Sequence, residues 1–257
     1  MKIFRKIRFN TVTKKNFGKY FVYATGEIIL VVIGILIALY LNGKKETFDA
    51  QEKQRNHLVL LKEELENNLE TLAEEDKILS EIISNIKDLS NLMSSPASLE
   101  KIGESNLSAL LFLPLTRSIE VDYENVAYGE FISSNSLKDI QNDSIRTILR
   151  SWDRRIQTLK LQELVVRKSL DKSINFMEAN GSLKTIFDNY NLSEGFLDIN
   201  NSSKTHSNKS ILKSRQFQNI LLQYLGVATQ LSKTNYPTSK SDIEKFIRLI
   251  EDKLNEE

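Results

Sequence analysis

The carboxylate of Glu27 is the side chain best placed to do chemistry, because it is the only charge within a long apolar segment. That segment reads YFVYATGEIILVVIGILIALYLNG. An ionised carboxylate that faces lipid deep in a bilayer costs roughly 3 kcal/mol, so a partner or a neutral form is expected. Glu27 could therefore relay a proton or an ion, or bind a neighbouring helix. If the membrane span begins close to it, Glu27 would instead lie in the cytoplasmic headgroup zone.

Small residues on the same segment favour close contact with another helix. Gly34 and Ala38 are four residues apart, a spacing of small side chains that lets two helices approach closely in a membrane. Gly26 adds a third small residue, next to Glu27. The candidates for an intramembrane functional or packing site are therefore Gly26, Glu27, Gly34 and Ala38.

The rest of the sequence contains no pattern that indicates chemistry. With no Cys and only two His, disulfides, thiolate nucleophiles and Cys/His zinc clusters are excluded. Phosphate-binding, dinucleotide-binding, serine-hydrolase and zinc-protease motifs are absent. Acidic clusters around Glu64 and Glu75 lack the Glu-x-x-His pairs of carboxylate metal sites, so they are predicted to lie on a solvated face. We predict no catalytic residue, no cofactor and no metal, and a protein that is not an enzyme.

The distribution of charge indicates which elements position Glu27. Residues 1–19 carry seven Lys or Arg and no acidic residue, whereas the chain from Lys44 onward carries 28 basic and 33 acidic residues. A net charge of +1 over 257 residues argues against a nucleic-acid partner. Between the charged regions, residues 20–41 would form a helix about 33 Å long, enough to cross a hydrocarbon layer of roughly 30 Å.

We predict that residues 20–41 are an uncleaved transmembrane helix. Tyr20, Tyr23 and Tyr40 lie towards its ends, where aromatic side chains favour the membrane interface. A cleaved signal peptide is the alternative, but no small-residue cleavage site follows the apolar stretch. The excess of Lys and Arg before the span predicts a cytoplasmic tail, 1–19, and a domain on the far side of the membrane, 42–257. In a bacterium these locations are the cytoplasm, the inner membrane and the periplasm.

A heptad pattern predicts that a long helix, about 48–93, follows the membrane span. Asn42-Gly43 is the expected hinge between the two. The companion positions of the heptad include Asn68 and Glu75, which weaken a pure coiled-coil interpretation. The apolar stripe therefore pairs either with a second copy or with later helices of the same chain, and the second alternative is favoured. The stripe consists of Leu58, Leu65, Leu72, Leu79, Ile86 and Met93.

In the rest of the chain, apolar residues recur mostly at helical spacing, so the predicted fold class is all-α. The expected architecture is a membrane helix that continues into a stalk and an antiparallel bundle. Pro96 should end the long helix, and Pro114 should stop a short apolar element at 106–115. A helix at about 119–134 would lead into a bend at Ser133-Ser134-Asn135, to which the sequence assigns no role. The later elements are a helix at about 143–179 capped by Asn142, a polar loop at 191–210, and helices at about 211–233 and 241–255, the last with a capping box from Ser241.

Two blocks of the chain resemble a known family. The segment KYFVYATGEIILVVIGILIALYLN resembles the membrane signature of an uncharacterised family of single-pass inner-membrane proteins of Bacteroidota, including Flavobacteria. The block 123–152, YENVAYGEFISSNSLKDIQNDSIRTILRSW, is similar to a second conserved block of that family, with Asn135 where the family usually has Gly. The resemblance implies an inner-membrane location and supplies neither an activity nor catalytic residues.

Three functions are compatible with this sequence. The first is a bitopic scaffold or partner-binding protein, whose partners would be the lipid bilayer and either a membrane or periplasmic protein or a second copy of the chain. The second is an accessory subunit of an ion-driven or transport complex that uses Glu27. The third is a ligand sensor that signals through a separate cytoplasmic partner, because a tail of about 19 residues is too short for an output domain of its own.

Overall fold

A computed structural model describes residues 17–133 and 142–255 of the chain, which are mostly helical and contain no strand. This confirms the all-α class. The chain divides into two units, Met1–Asn56 and His57–Glu257, and each is described by itself. The second unit is called the helical domain below. Residues 1–16 of the basic tail lie outside the described residues, as do residues 134–141, which include Ser134 and Asn135 of the predicted bend.

The first helix, α1, runs over Phe17–Met93 and has 77 residues. The expected hinge at Asn42-Gly43 is not observed, because these residues are helical. Side-chain bonds within the helix cross this point: Asn42 Nδ2 donates to Glu46 Oε1 at 2.7 Å, and Thr47 Oγ1 donates to the Gly43 carbonyl at 2.8 Å. One glycine inside a helix costs only about 1 kcal/mol relative to alanine, so it does not by itself break α1.

The apolar residues of α1 have different surroundings in the two units. In the first unit the large side chains from Ile28 to Leu41 are exposed. In the helical domain five of the six stripe residues are buried: Leu58, Leu65, Leu72, Leu79 and Ile86. Later elements of the same chain contact this part of α1, for example through Asn68 and Glu124. The stripe therefore packs against its own chain, which was the favoured alternative.

Two short helices follow the end of α1. Ser94 and Ser95 form a turn, and Pro96 begins α2, Pro96–Lys101. The next helix, α3, runs over Glu104–Thr116 and contains Pro114. The prediction that Pro114 stops this element is wrong by two residues. A proline near the end of a helix removes only one backbone bond, and Thr116 Oγ1 adds a bond to the Phe112 carbonyl at 2.7 Å.

The prediction of a helix over 119–134 is wrong in its first half. Residues 117–125 have no regular structure, and α4 covers only Val126–Ser133. Within the irregular segment, Ile119, Val121 and Tyr123 are buried, whereas the acidic residues between them are exposed. This alternation is typical of extended backbone, in which successive side chains point to opposite sides.

The longest helix that lies wholly within the helical domain is α5, Asp143–Asn180. Asn142 caps it, since its side-chain oxygen accepts bonds from the backbone N–H groups of Ser144 and Ile145 at 2.9 and 3.1 Å. Such a cap contributes about 1 kcal/mol. One side of α5 is buried against the C-terminal helices, α8 and α9, whose bounds are given below.

The polar region predicted as a loop over 191–210 contains more structure than expected. After α6, Leu183–Asn189, a single turn forms α7, Leu192–Gly195, and a 3₁₀ helix begins at Asn208. Asp188 holds this region together: its carboxylate accepts bonds from Lys184 Nζ and Ser193 Oγ, both at 2.5 Å, and from the Ser202 backbone N–H at 3.0 Å.

The C-terminal elements form an almost continuous run, in contrast to the two separate helices predicted at 211–233 and 241–255. They are a 3₁₀ helix Asn208–Lys213, α8 Arg215–Gln230, a π-helical turn Leu231–Asn235, and α9 Tyr236–Asn255. The capping box predicted at Ser241 is wrong, because Ser241 lies inside α9. Pro237 follows the π-helical turn directly and does not interrupt the run.

The core of the helical domain lies where α5, α8 and α9 meet the buried stripe of α1. Aromatic pairs fill it: Trp152 contacts Phe246 with ring centroids 5.3 Å apart, and Phe176 stacks on Phe217 at 5.1 Å. Such pairs add roughly 0.5–1.5 kcal/mol beyond the area that they bury.

Candidate functional site

The four intramembrane candidates all lie in α1, within the first unit. Glu27, Gly34 and Ala38 are seven and four residues apart, so they lie on one side of the helix within about 40°. Gly26 is rotated by about 100° from Glu27 and does not belong to this side. We call Glu27, Gly34 and Ala38 the small-residue face.

No described part of the chain covers the small-residue face. Its three residues are exposed, and a Cβ atom added at Gly34 or at Gly26 would meet nothing within 4 Å. Glu27 forms neither a hydrogen bond nor an ion pair with any described residue. α1 is also the only described helix that is long and apolar enough to cross a membrane, and none of its apolar stretch is buried. The face is therefore open to contact with another helix.

In the helical domain, α1 carries a row of polar residues, and sequence reasoning placed its two glutamates on a solvated face. That prediction is wrong for Glu64 and Glu75, which are buried, as is Asn68. Each of the three contacts the segment 117–128. Their spacing of four and seven residues places the three on one side of α1, next to the apolar stripe. We call Glu64, Asn68 and Glu75 the polar row.

Glu64 acts as a cap for a helix that is distant in sequence. Its Oε2 accepts a bond from the backbone N–H of Ala127 at 2.6 Å, and its Oε1 accepts one from Tyr128 at 3.2 Å. Both N–H groups belong to the first turn of α4, where they have no partner within the helix. Burial raises the pKa of Glu64 above its usual value, and the two backbone bonds oppose that shift.

Asn68 pairs with the backbone of Glu124 in both directions. Its Oδ1 accepts from the Glu124 N–H at 2.8 Å, and its Nδ2 donates to the Glu124 carbonyl at 2.9 Å. Asn68 is buried, with 1 % of its surface exposed. No other described residue forms a hydrogen bond with these two backbone groups of Glu124. The amide thus replaces the strand partner that an extended segment would need.

Glu75 completes the polar row with an ion pair. Arg117 donates to Glu75 Oε1 at 2.7 Å. Burial raises the pKa of Glu75, and the guanidinium of Arg117 opposes that shift. The polar row therefore fixes the irregular segment at its beginning, near its end and at the start of α4. Its side chains bond to other parts of the chain, and Glu75 Oε2 has no partner among the described residues. No group of three metal-ligating side chains occurs within 17–133 and 142–255.

A third buried carboxylate, Glu163, lies at the centre of α5. Its Oε1 accepts a bond from the Tyr236 hydroxyl at 3.1 Å and one from the Val121 N–H at 3.4 Å. Its Oε2 has no partner among the described residues. Burial raises the pKa of Glu163 to about 7, which the bonds from Tyr236 and Val121 oppose. Burial also raises the pKa of Tyr236 and of Tyr123, so both phenols remain neutral.

Sequence reasoning missed Glu163, although the pattern contained a signal for it. Apolar residues of α5 recur at Trp152, Ile156, Leu159, Val166 and Leu170, and Glu163 occupies the position of that series between Leu159 and Val166. A lone carboxylate at a stripe position predicts a buried charge that requires a partner. Tyr236, which supplies the hydroxyl, is 73 residues away and could not be inferred from a local pattern.

The comparisons with known proteins give a family but no activity. No curated protein and no solved structure matches the chain. A model of a family described as a family of unknown function, DUF6090, matches residues 27–175. That range begins at Glu27, includes the polar row and the irregular segment, and ends near the C-terminus of α5. Because the match covers more than half of the 257 residues, the chain belongs to the family of unknown function DUF6090.

Proposed function

We propose that the protein is a bitopic scaffold of a bacterial inner membrane, which binds a partner helix through its small-residue face. The tail 1–19 would lie in the cytoplasm, 20–41 would cross the membrane, and 42–257 would lie in the periplasm. The observation that carries the proposal is the exposure of every large apolar side chain from Ile28 to Leu41 in a helix whose later stripe is buried. Exposed apolar surface of this extent is stable in lipid and not in water.

The bonds of the polar row support a structural role for its side chains, as expected of a scaffold. Glu64, Asn68 and Glu75 are the buried polar side chains of α1, and their bonds are made to the chain itself. Glu163 Oε1 also accepts its bonds from the chain itself. In the membrane segment, by contrast, Glu27 and its small neighbours face outward. The partner-binding capacity therefore belongs to the membrane segment.

The membrane topology can be tested with reporter fusions at the C-terminus. We expect full alkaline phosphatase activity and no activity of a cytoplasm-dependent reporter, because seven basic residues precede the span and hold the N-terminus inside. The protein should also remain in membranes after alkaline carbonate washing. A matched fusion in which Ile33 and Ile37 are both replaced by Arg should lose both properties, since the two charges cost about 5–7 kcal/mol at the centre of the span. Activity of only the cytoplasmic reporter in the parent would contradict the proposed orientation.

Partner binding can be tested by photo-crosslinking within the membrane. A benzophenone amino acid at Ala38 should give a discrete adduct with a second protein or a second copy, because Ala38 lies on the small-residue face. The matched control is Leu36, which is exposed and lies about 160° from Gly34 on the opposite side of α1. We expect at least threefold more adduct from position 38 than from position 36. Equal, diffuse labelling at the two positions would contradict a specific partner on this face.

A second candidate function, an accessory subunit of an ion-driven or transport complex, is favoured by the carboxylate of Glu27, which has no partner among the described residues. If Glu27 lies within the bilayer as a neutral acid, a hydrophobic carbodiimide should modify it in intact membranes, because such reagents react with protonated carboxyl groups. Glu46, exposed beyond the end of the span, is the matched control and should stay unmodified. Mass spectrometry of the two peptides measures the difference. An unmodified Glu27 would place it in the headgroup zone and contradict a relay.

A further inference from the structure

A cleft in the helical domain lies between α5 and the C-terminal helices. Its volume is about 230 Å³. From α5, the apolar side chains of Trp152, Ile156 and Leu159 line it, and from the other side Asn235 and Asp242 contribute polar atoms. Trp152 and Leu159 are buried, so they form a fixed apolar wall. The volume corresponds to roughly eight water molecules, or to a small organic molecule of about ten to thirteen non-hydrogen atoms.

Asn235, one of the residues that line the cleft, has a side-chain oxygen that is not paired with any described residue. Asn235 Oδ1 is buried and accepts no hydrogen bond from any described residue. An unpaired buried acceptor is costly, and in folded proteins such an atom is usually served by a water or a ligand. Asn235 also ends the π-helical turn Leu231–Asn235. Turns of this kind are rare and occur frequently at functional sites, where they redirect a side chain.

Among the described residues, the charged side chains that line the cleft are one ion pair and one arginine without an ion-pair partner. Arg155 is paired with Asp242 across the cleft, which joins α5 to α9. Arg154 also lines the cleft, is exposed, and forms no ion pair with a described residue. An arginine in this position can bind a carboxylate or another oxyanion through charge-assisted hydrogen bonds.

We propose that this cleft binds a small organic acid that carries an apolar group and an N–H or O–H donor. The apolar group packs on Trp152 and Leu159, the acid group pairs with Arg154, and the donor bonds to Asn235 Oδ1. Water alone would satisfy Asn235, but it would also have to cover the apolar wall, which is unfavourable. A ligand with all three groups satisfies the apolar wall, the free cation and the unpaired acceptor together.

Trp152 provides a direct measurement of binding, because it is the only tryptophan in the chain. The full-length protein in phospholipid nanodiscs is titrated with hippurate, whose phenyl ring, amide N–H and carboxylate match the three features. We expect a saturable change in Trp152 emission. Two analogues test the assignments: methyl hippurate lacks the negative charge, and O-benzoylglycolate has an oxygen in place of the N–H. Each should bind at least tenfold more weakly than hippurate.

Two substitutions assign the interactions to residues. Arg154→Gln should weaken hippurate binding at least tenfold and leave methyl hippurate unchanged, whereas Asn235→Leu should remove the preference for hippurate over O-benzoylglycolate. Arg150→Gln is the matched control, since Arg150 is an exposed arginine of α5 that does not line the cleft, and it should bind hippurate like the parent. The absence of a saturable response to hippurate would overturn the proposal, as would an equal response to methyl hippurate or unchanged binding by Arg154→Gln.

Discussion

Replacing Asn68 by leucine should lower the free energy of unfolding of the helical domain by roughly 2–4 kcal/mol. The expectation follows from the two bonds between the Asn68 amide and the backbone of Glu124. Without them a backbone N–H and a carbonyl are left unpaired, and each costs about 1–3 kcal/mol when it is shielded from water. The apolar surface that leucine adds recovers only about 1–2 kcal/mol of this loss.

Whether Asn68→Leu lowers or raises the free energy of unfolding distinguishes two interpretations of the heptad pattern: pairing with a second copy and packing within one chain. If α1 paired with a second copy as a coiled coil, leucine at position 68 would extend the apolar companion row and stabilise the assembly. In the structure described above, leucine at position 68 would instead remove the amide that bonds to the backbone of Glu124. The measurement is urea unfolding of the full-length protein in mild detergent, followed by the emission of Trp152. A thermal midpoint lowered by roughly 5–15 °C would be the corresponding calorimetric result.

The neighbouring residue Asn67 provides the matched control. Asn67 is exposed, and its single side-chain bond, to Glu124 Oε2 at 3.1 Å, is open to water. Asn67→Leu should therefore change the free energy of unfolding by less than about 0.5 kcal/mol. If Asn68→Leu were as stable as the parent, or more stable, the role of the polar row in holding residues 117–128 would be refuted.

Sequence periodicity predicted the parts of the fold in which apolar residues keep one spacing over many helical turns. Six stripe residues at intervals of seven predicted a long helix before Pro96, and α1 ends at Met93. The apolar stretch from Ile28 to Leu41 predicted an element suited to lipid, and it is exposed in the structure. In both cases the signal lies within one stretch of sequence. A helix face that lies against lipid or against the core carries apolar residues at a fixed spacing.

The irregular segment 117–125 could not be predicted in the same way, because its backbone partners are distant. The alternation of Ile119, Val121 and Tyr123 with acidic residues was a signal for extended structure, yet an extended segment needs a partner strand or a substitute for one. The substitute is Asn68, which precedes Glu124 by 56 residues. Glu64 and Glu75 were assigned to a solvated face for the same reason: their partners lie on elements that the local sequence does not indicate.

The other large effect concerns the buried carboxylate of Glu163, whose ionisation should make the helical domain less stable at neutral pH than at pH 5. The pKa of this group is about 7 in the folded protein, against an ordinary value of 4.5. Between these values the folded protein binds more protons than the unfolded chain, so stability falls as the pH rises. A difference of about 2.5 pH units corresponds to about 3 kcal/mol, fully lost above pH 7. Two charged groups act on Glu163 in opposite directions: Glu120 raises its pKa and Lys160 lowers it.

Glu163→Gln should therefore stabilise the helical domain by roughly 2–3 kcal/mol at pH 8 and have little effect at pH 5. The amide keeps an oxygen that can accept from Tyr236 and Val121, but it carries no charge. The measurement is the difference in unfolding free energy between variant and parent at several pH values, because the difference cancels the titration of groups that the two proteins share. Glu178→Gln, at an exposed position of the same helix, is the matched control and should give a small difference at every pH. A pH-independent difference for Glu163→Gln would mean that Glu163 is already ionised at pH 5 in the folded protein, and that its burial is compensated in full by its partners.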